Sequence, residues 1–162
     1  MVGRLKQLFY GLVLGPIVAL FGCKEKSPQK EAASVSEKYH VGQEWSYKTR
    51  PNETGSTLII TNIDEDPKLT KIISIYVKGL KIKNALKPGA VLTEFPHLPL
   101  SMQAMDKSVV KLVNEKVELP QSSGGYEMWR DAFDKHQAGV FSIPVSECIE
   151  AAEAAMSTSI KK

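Results

Sequence analysis

Three histidines, His40, His97 and His136, are the side chains suited to proton transfer or metal binding near neutral pH, and they lie scattered along 162 residues. A zinc site needs three or four converging His, Cys or acidic ligands, commonly with two close in sequence, and no such spacing occurs. No serine lies in a G-x-S-x-G elbow. The expectation is therefore no metal, no cofactor and no catalytic residues. His97, in FPHLPL, is held between prolines in what reads as a rigid loop, where it could act as a base or bind an anion. A purely structural loop histidine accounts for the same residues. In YKTRPNE, Arg50 and Glu53 flank a proline turn at the end of an expected hairpin, a place that carries recognition in many proteins and solvated charge in many others. His97, Arg50 and Glu53 are the candidate ligand-binding residues.

Three further groups have both a functional and a structural reading. Ser122 and Ser123 beside Gly124 and Gly125 suit a small anion nest, but also an ordinary loop before a helix. Tyr126, Trp129 and Phe133 recur at helical spacing, as a stacking platform or as core. Cys148 reads most simply as a small buried hydrophobe.

Positioning these groups falls to elements that the apolar pattern predicts. EWSYKT alternates Trp45 and Tyr47 with polar residues and reads as a strand, after which RPNETG supplies a turn. STLIITNID, rich in β-branched residues, is a second strand, broken by DEDPK with Pro67. KIISIYVKGLKIKN is a third, with Ile73, Ile75 and Val77 on one side of the pleat and Gly79 marking a bulge or bend. Short polar turns join these into an antiparallel meander of about three strands.

NALKPGAVLTEFPHLPL, with Pro88, Gly89, Pro96 and Pro99, is expected as a loop. Ser101 then caps a helix carrying Met105, Val109, Leu112 and Val113 at helical spacing, with Asp106, Lys107 and Lys111 outward. Pro120 and SSGG end that unit, and a second amphipathic helix bearing Tyr126, Trp129 and Phe133 stops at Gly139. VFSI (Val140 to Ile143) suits a short strand. Pro144 opens a last helix with Val145, Cys148, Ile149, Ala152 and Met156 as its buried stripe and Glu147, Glu150 and Glu153 as its wet one. Strands followed by helices predict an α+β domain, with two or three amphipathic helices packed on one face of the sheet.

The N-terminal stretch has a different character. Arg4 and Lys6 precede an apolar run from Leu8 to Gly22 that is shorter than the roughly 20 residues of a spanning helix and is interrupted by Gly11, Gly15 and Pro16. Leu20, Phe21 and Gly22 stand directly before Cys23. This arrangement resembles the signal peptide and lipobox of bacterial lipoproteins, with Phe21 larger than the residue usual at its place. The resemblance implies cleavage after residue 22, lipidation at Cys23 and anchoring of the mature chain to a membrane through its N-terminal lipid. An ordinary cleaved signal and an uncleaved anchor are the other readings. Lys24 is not the Asp associated with inner-membrane retention, so in a Gram-negative host the outer membrane, facing the periplasm, is expected.

Residues 23–38, KEKSPQKEAASVSEK after the cysteine, are polar and aperiodic and read as a flexible tether. The folded part is expected from Tyr39 to Met156, with residues 157–162 frayed. Loss of Arg4 and Lys6 with the signal lowers the formal charge from +3 to +1, which leaves no basic footprint for nucleic acid. A lipidated Cys23 cannot pair with Cys148, so a folded part of about 120 residues must be held by its core alone.

WSYKTRP, STLIITNID, GLKIKN, HLPLS with KSVVKLV, and GYEMWRDAFDKHQAGVFSI resemble a small family of uncharacterised bacterial proteins over about Val41 to Ile149. That resemblance implies one compact domain and carries no activity or ligand. The combined expectation is a lipid-anchored envelope protein acting as a binding or interaction module, with an envelope protein as a possible partner and no nucleic acid or metal. The alternative is an envelope enzyme, or an enzyme regulator such as an immunity-type inhibitor, with His97 and the Arg50/Glu53 turn as its residues.

Overall fold

A computed structural model describes residues 38–83, 89–121 and 124–158. The expected signal, Cys23, the tether up to residue 37, the Ser122/Ser123 pair and the last four residues lie outside the described residues. Among the described residues, five strands and three helices follow in the order β1 (Glu44–Tyr47), β2 (Thr57–Asp66), β3 (Thr70–Lys83), β4 (Val91–Ser101), α1 (Met102–Ser108), β5 (Val109–Asn114), α2 (Gly125–Asp134) and α3 (Val145–Thr158). The class is α+β, as the residue pattern predicts. The sheet is larger than the expected meander of about three strands: five antiparallel strands in the order β4-β3-β2-β1-β5.

Both extra strands have a physical cause. β4 occupies the segment expected as a loop from Val91 onward, residues 84–88 with Pro88 lying outside the described residues, because Pro96 and Pro99 fall on an edge strand, where a missing N–H removes no obligatory ladder bond. Pro99 still uses its carbonyl, accepting from Phe141 N–H at 2.9 Å, and Ser101 N–H donates to Phe141 O at 2.9 Å. Of VFSI, only Phe141 joins the sheet, as a parallel bridge to Leu100 that covers the end of this edge. β5 arises where the first helix was expected to continue through Val113. Ser101 caps that helix as expected, its Oγ accepting from Ala104 N–H at 3.2 Å. The helix ends at Ser108, and the β-branched run Val109–Asn114 turns extended to pair with β1.

Four strand spacings of about 4.8 Å would hold β4 and β5 about 19 Å apart in a flat sheet. The seven residues of α1 advance only about 10 Å, so the sheet curls around α1. Register shifts in the β1/β5, β2/β3 and β3/β4 pairings supply the curl. One lies between Lys78 and Ile82, where Gly79 has φ +77° as its expected bend requires.

The concave face holds the main core: Leu58, Ile60, Ile73, Ile75, Val77, Leu98 and Leu100 against Ala104 and Met105 of α1 and Val145, Cys148 and Ile149 of α3. Each leucine, isoleucine, valine or methionine side chain of this set contributes about 1.5–3 kcal/mol by leaving water. Ser108, fully buried, joins three segments of this layer: its Oγ donates to Ala104 O at 2.6 Å and accepts from Val145 N–H at 3.0 Å, and its carbonyl accepts from Lys48 N–H at 2.9 Å. α2 does not share that face, contrary to the expectation of helices on one side. Its partners Asp64 and His97, with Ser74 against His97, alternate with Ile63, Ile73, Ile75 and Leu98, which belong to the main core or pack on it, so the pleat points them to the opposite side.

Candidate binding site

His97 owes its position to edge strand β4, whose pleat turns Leu98 into the core and His97 toward α2. Its Nε2 lies 3.1 Å from Ser74 Oγ on β3. Around the imidazole, α2 places Tyr126, with ring centroids 5.8 Å apart, and Trp129, at 5.4 Å; Phe133 continues the stack 5.1 Å beyond Trp129. The helical spacing of the three aromatics thus builds the face that α2 turns to the sheet. Trp129 is its buried anchor, 9 % exposed, with its indole N–H donating to Gly139 O at 2.9 Å. Tyr126 O–H donates to Asp64 Oδ1 at 2.8 Å, which also lies 3.7 Å from Arg130 Nη1. Burial, then the Asp64 carboxylate, push the Tyr126 phenol up to about 12.

Between α2, the segment before it and strands β2 and β4 lies a half-open depression of about 250 Å³. Pro96 and His97 line it from β4, Thr61 and Asn62 from β2, Gly125, Tyr126 and Glu127 from the start of α2, and Leu119, Pro120 and Gln121 from the segment before that helix. Burial holds the His97 imidazole below its usual range, against the opposing pull of the Glu127 and Asp64 carboxylates. At neutral pH His97 is therefore uncharged, able to donate or accept a hydrogen bond. It is not paired with a usable nucleophile, since Ser74 is 0 % exposed.

Arg50 and Glu53 are brought together, but not with His97. Arg50 grips Glu53 through Nε at 2.9 Å and Nη2 at 2.6 Å, and reaches Glu153 Oε2 through Nη1 at 2.5 Å. Lys81 N–H donates to Glu53 Oε1 at 2.6 Å, and Lys83 N–H to Glu153 Oε1 at 2.9 Å. Pro51, Asn52, Thr54 and Gly55 of the turn are exposed, but Glu53 is 2 % exposed, so the Arg50 and Glu53 side chains form a clamp on α3, and Glu153 belongs to that clamp, not to the wet face of its helix. These residues line a second depression of about 280 Å³ with Lys81 and Lys83, which shares no residue with the first.

The other singled-out residues stand apart. His40 is exposed beside Gln43, and His136 sits at the C-terminal end of α2 with φ +58°. Among the described residues, no group of three or more His, Cys, Asp or Glu is placed to hold a metal ion. Cys148 is buried in the core, and burial pushes its thiol up to about 11. An S-x-x-K spacing, the arrangement in which a lysine can activate a serine nucleophile, occurs at Ser108 and Lys111, but Ser108 is fully buried and Lys111 is exposed on β5; the instances at Ser27 and Ser159 lie outside the described residues.

Sequence reasoning found His97 through its prolines and the aromatics through their spacing. Thr61, Asn62, Gln121 and Glu127 carried no signal, because only the fold gathers them. Among the described residues, no helix is long and apolar enough to cross a membrane. Comparison with protein-family models, with curated proteins and with solved structures gave no match.

Proposed function

We propose that this chain is a lipid-anchored binding module of a bacterial cell envelope, and that the depression at His97 is its ligand face. The anchoring half of this reading rests on the lipobox-like Leu20 to Cys23 and the polar tether after it. The binding half rests on one observation. The depression combines apolar walls with converging amide, hydroxyl, imidazole and carboxylate groups on a sheet and a packed helix, the mixture by which small-molecule sites fix a ligand's orientation. An enzyme of the same envelope is the weaker reading, because the hydroxyl that His97 touches is sealed from any substrate.

The test is a fragment screen on the full chain in detergent, followed by amide chemical shifts. A binding module gives at least one fragment whose shifts cluster at His97, Gly125 and Tyr126. Shifts that cluster only at Lys81 and Lys83, or nowhere, overturn the assignment of this face.

A further inference from the structure

We infer that the depression at His97 takes a neutral carbohydrate, one saccharide ring at a time. This rests on the reading of that depression as a ligand face.

Side-chain charge argues against an anionic ligand. Among the described residues, the lining contains no lysine or arginine and its one acidic residue is Glu127, so a phosphate or carboxylate ligand would meet no side-chain countercharge there. The nearest guanidinium, Arg130, is engaged by Asp134 and Asp64 and lies over the Trp129 and Phe133 rings. With His97 neutral, the partial positive charge left is that of the α2 N-terminus, whose Gly125, Tyr126 and Glu127 line the depression, and the Glu127 carboxylate in the same turn offsets it.

Shape and polarity then narrow the class. A sugar ring is amphipathic, with C–H faces and a rim of hydroxyls that each donate and accept. Pro96, Pro120 and Tyr126 offer surfaces for the C–H faces, while the amides of Asn62 and Gln121 carry a donor and an acceptor side by side, matching adjacent hydroxyls. Thr61 Oγ1 donates to Ser74 O at 3.1 Å and so offers an acceptor, and His97 offers the ring nitrogen that Ser74 does not engage. A purely apolar ligand would cover the Asn62 and Gln121 amides without pairing them, which is costly. The volume, about 250 Å³, lies below the ~300 Å³ at which drug-sized sites begin and suits a single ring. The open side leaves room for further units of a glycan.

So small a contact predicts a Kd on the order of millimolar. Saturation-transfer NMR on the full chain in detergent tests this with glucose, N-acetylglucosamine, a tetrasaccharide of N-acetylglucosamine, tetramethylammonium, inorganic phosphate and phenol. The expected result is transfer to at least one saccharide, weakened five-fold or more by Asn62→Ala or Gln121→Ala and unchanged by Lys81→Ala, with all three variants retaining the parent circular dichroism. Tighter binding of the tetrasaccharide assigns the site to a glycan, and equal binding assigns it to a free sugar. Transfer to tetramethylammonium, phosphate or phenol without any saccharide overturns the carbohydrate assignment and leaves the ligand face standing. Transfer to none of the probes, with a fragment screen that is also silent at His97, overturns both.

Discussion

Arg50 and Glu153 stand 103 positions apart in sequence, yet Arg50 Nη1 lies 2.5 Å from Glu153 Oε2. That contact fastens the turn after β1 to the outer part of the last helix. The same guanidinium neutralises Glu53, whose side chain is sealed beneath it. Because one cation serves two carboxylates, its removal strands a buried charge.

Arg50→Ala is therefore expected to destabilise the fold by about 3 kcal/mol, the scale for breaking one side of a buried ion pair. Urea unfolding measures it. The pair also sets an acid limit. Burial alone would raise the Glu53 carboxyl, but the bonds from Arg50 and Lys81 N–H overcome it, and the bonds from Lys83 N–H and Arg50 lower Glu153. With folded values below the usual 4.5, this stabilisation is present above about pH 4.5 and lost as pH falls through the folded values. The acid limb of a stability profile should be shallower in Arg50→Ala.

Gly79 makes a second fixed point. Its backbone has φ +77°, and a Cβ there would come within 3.1 Å of Ser56 Cα and 3.3 Å of Gly55 O. Gly79→Ala is expected to cost more than about 1 kcal/mol, since left-handed strain adds to a backbone clash. A wild-type melting temperature in that variant would show that the bend between Lys78 and Ile82 can be made another way.

Ser108→Ala tests how α3 is seated. Val145 N–H, buried at the start of α3, has Ser108 Oγ as its acceptor, supplied from the end of another helix. The substitution removes one oxygen and leaves that donor unpaired, for an expected loss of about 1–3 kcal/mol. Faster hydrogen exchange at Val145 and through the first turn of α3, ahead of the rest of the core, would identify the cause. An unchanged exchange pattern would refute it.

How far the sequence reached depends on whether a property is local. The alternation in EWSYKT, STLIITNID and KIISIYVK marks β1 to β3, because period-two patterning is written residue by residue. β4 escaped notice because the tolerance of Pro96 and Pro99 comes from lying at a sheet edge, which no local window reveals. Val109, Leu112 and Val113 fit a helical stripe as well as a strand over so short a run, and pairing with β1 decided it. In that strand Val110 and Val113 fall where the register slips, and they remain 64 % and 47 % exposed. Bulges at an edge discourage a further strand from adding there, which accounts for two valines in water. The candidate site was half legible for the same reason. His97 stood out between its prolines, whereas Ser74, Asp64 and Asn62 join it only through the parity of the pleat.

That parity gives His97 a measurable pH signature. Burial lowers its folded value below the usual 6.5, with the opposing carboxylates of Glu127 and Asp64 failing to restore it. The neutral ring is favoured in the fold, so its contribution is whole above pH 6.5 and is lost as pH falls through the folded value. Stability should decline from pH 7 toward pH 5 more steeply in the parent than in His97→Gln, which retains a hydrogen-bonding group toward Ser74 but cannot titrate. Identical slopes would mean that His97 is solvated in solution and that α2 does not hold it as described.

The anchor is tested by Cys23→Ala, read by intact mass and membrane fractionation of the protein from its native envelope. Each buried methylene of an acyl chain contributes ~0.8 kcal/mol, so two or three chains retain the domain where one would release it. The expected outcome is a fragment that begins at Cys23 and carries a diacyl or triacyl mass in the membrane fraction, with the variant lost from that fraction. A chain that begins at Met1, or beyond Cys23, without acyl mass would remove the lipid anchor from the proposed function. The depression at His97 would keep its geometry in either case, but its ligands would then have to be sought in whichever compartment the unanchored chain occupies.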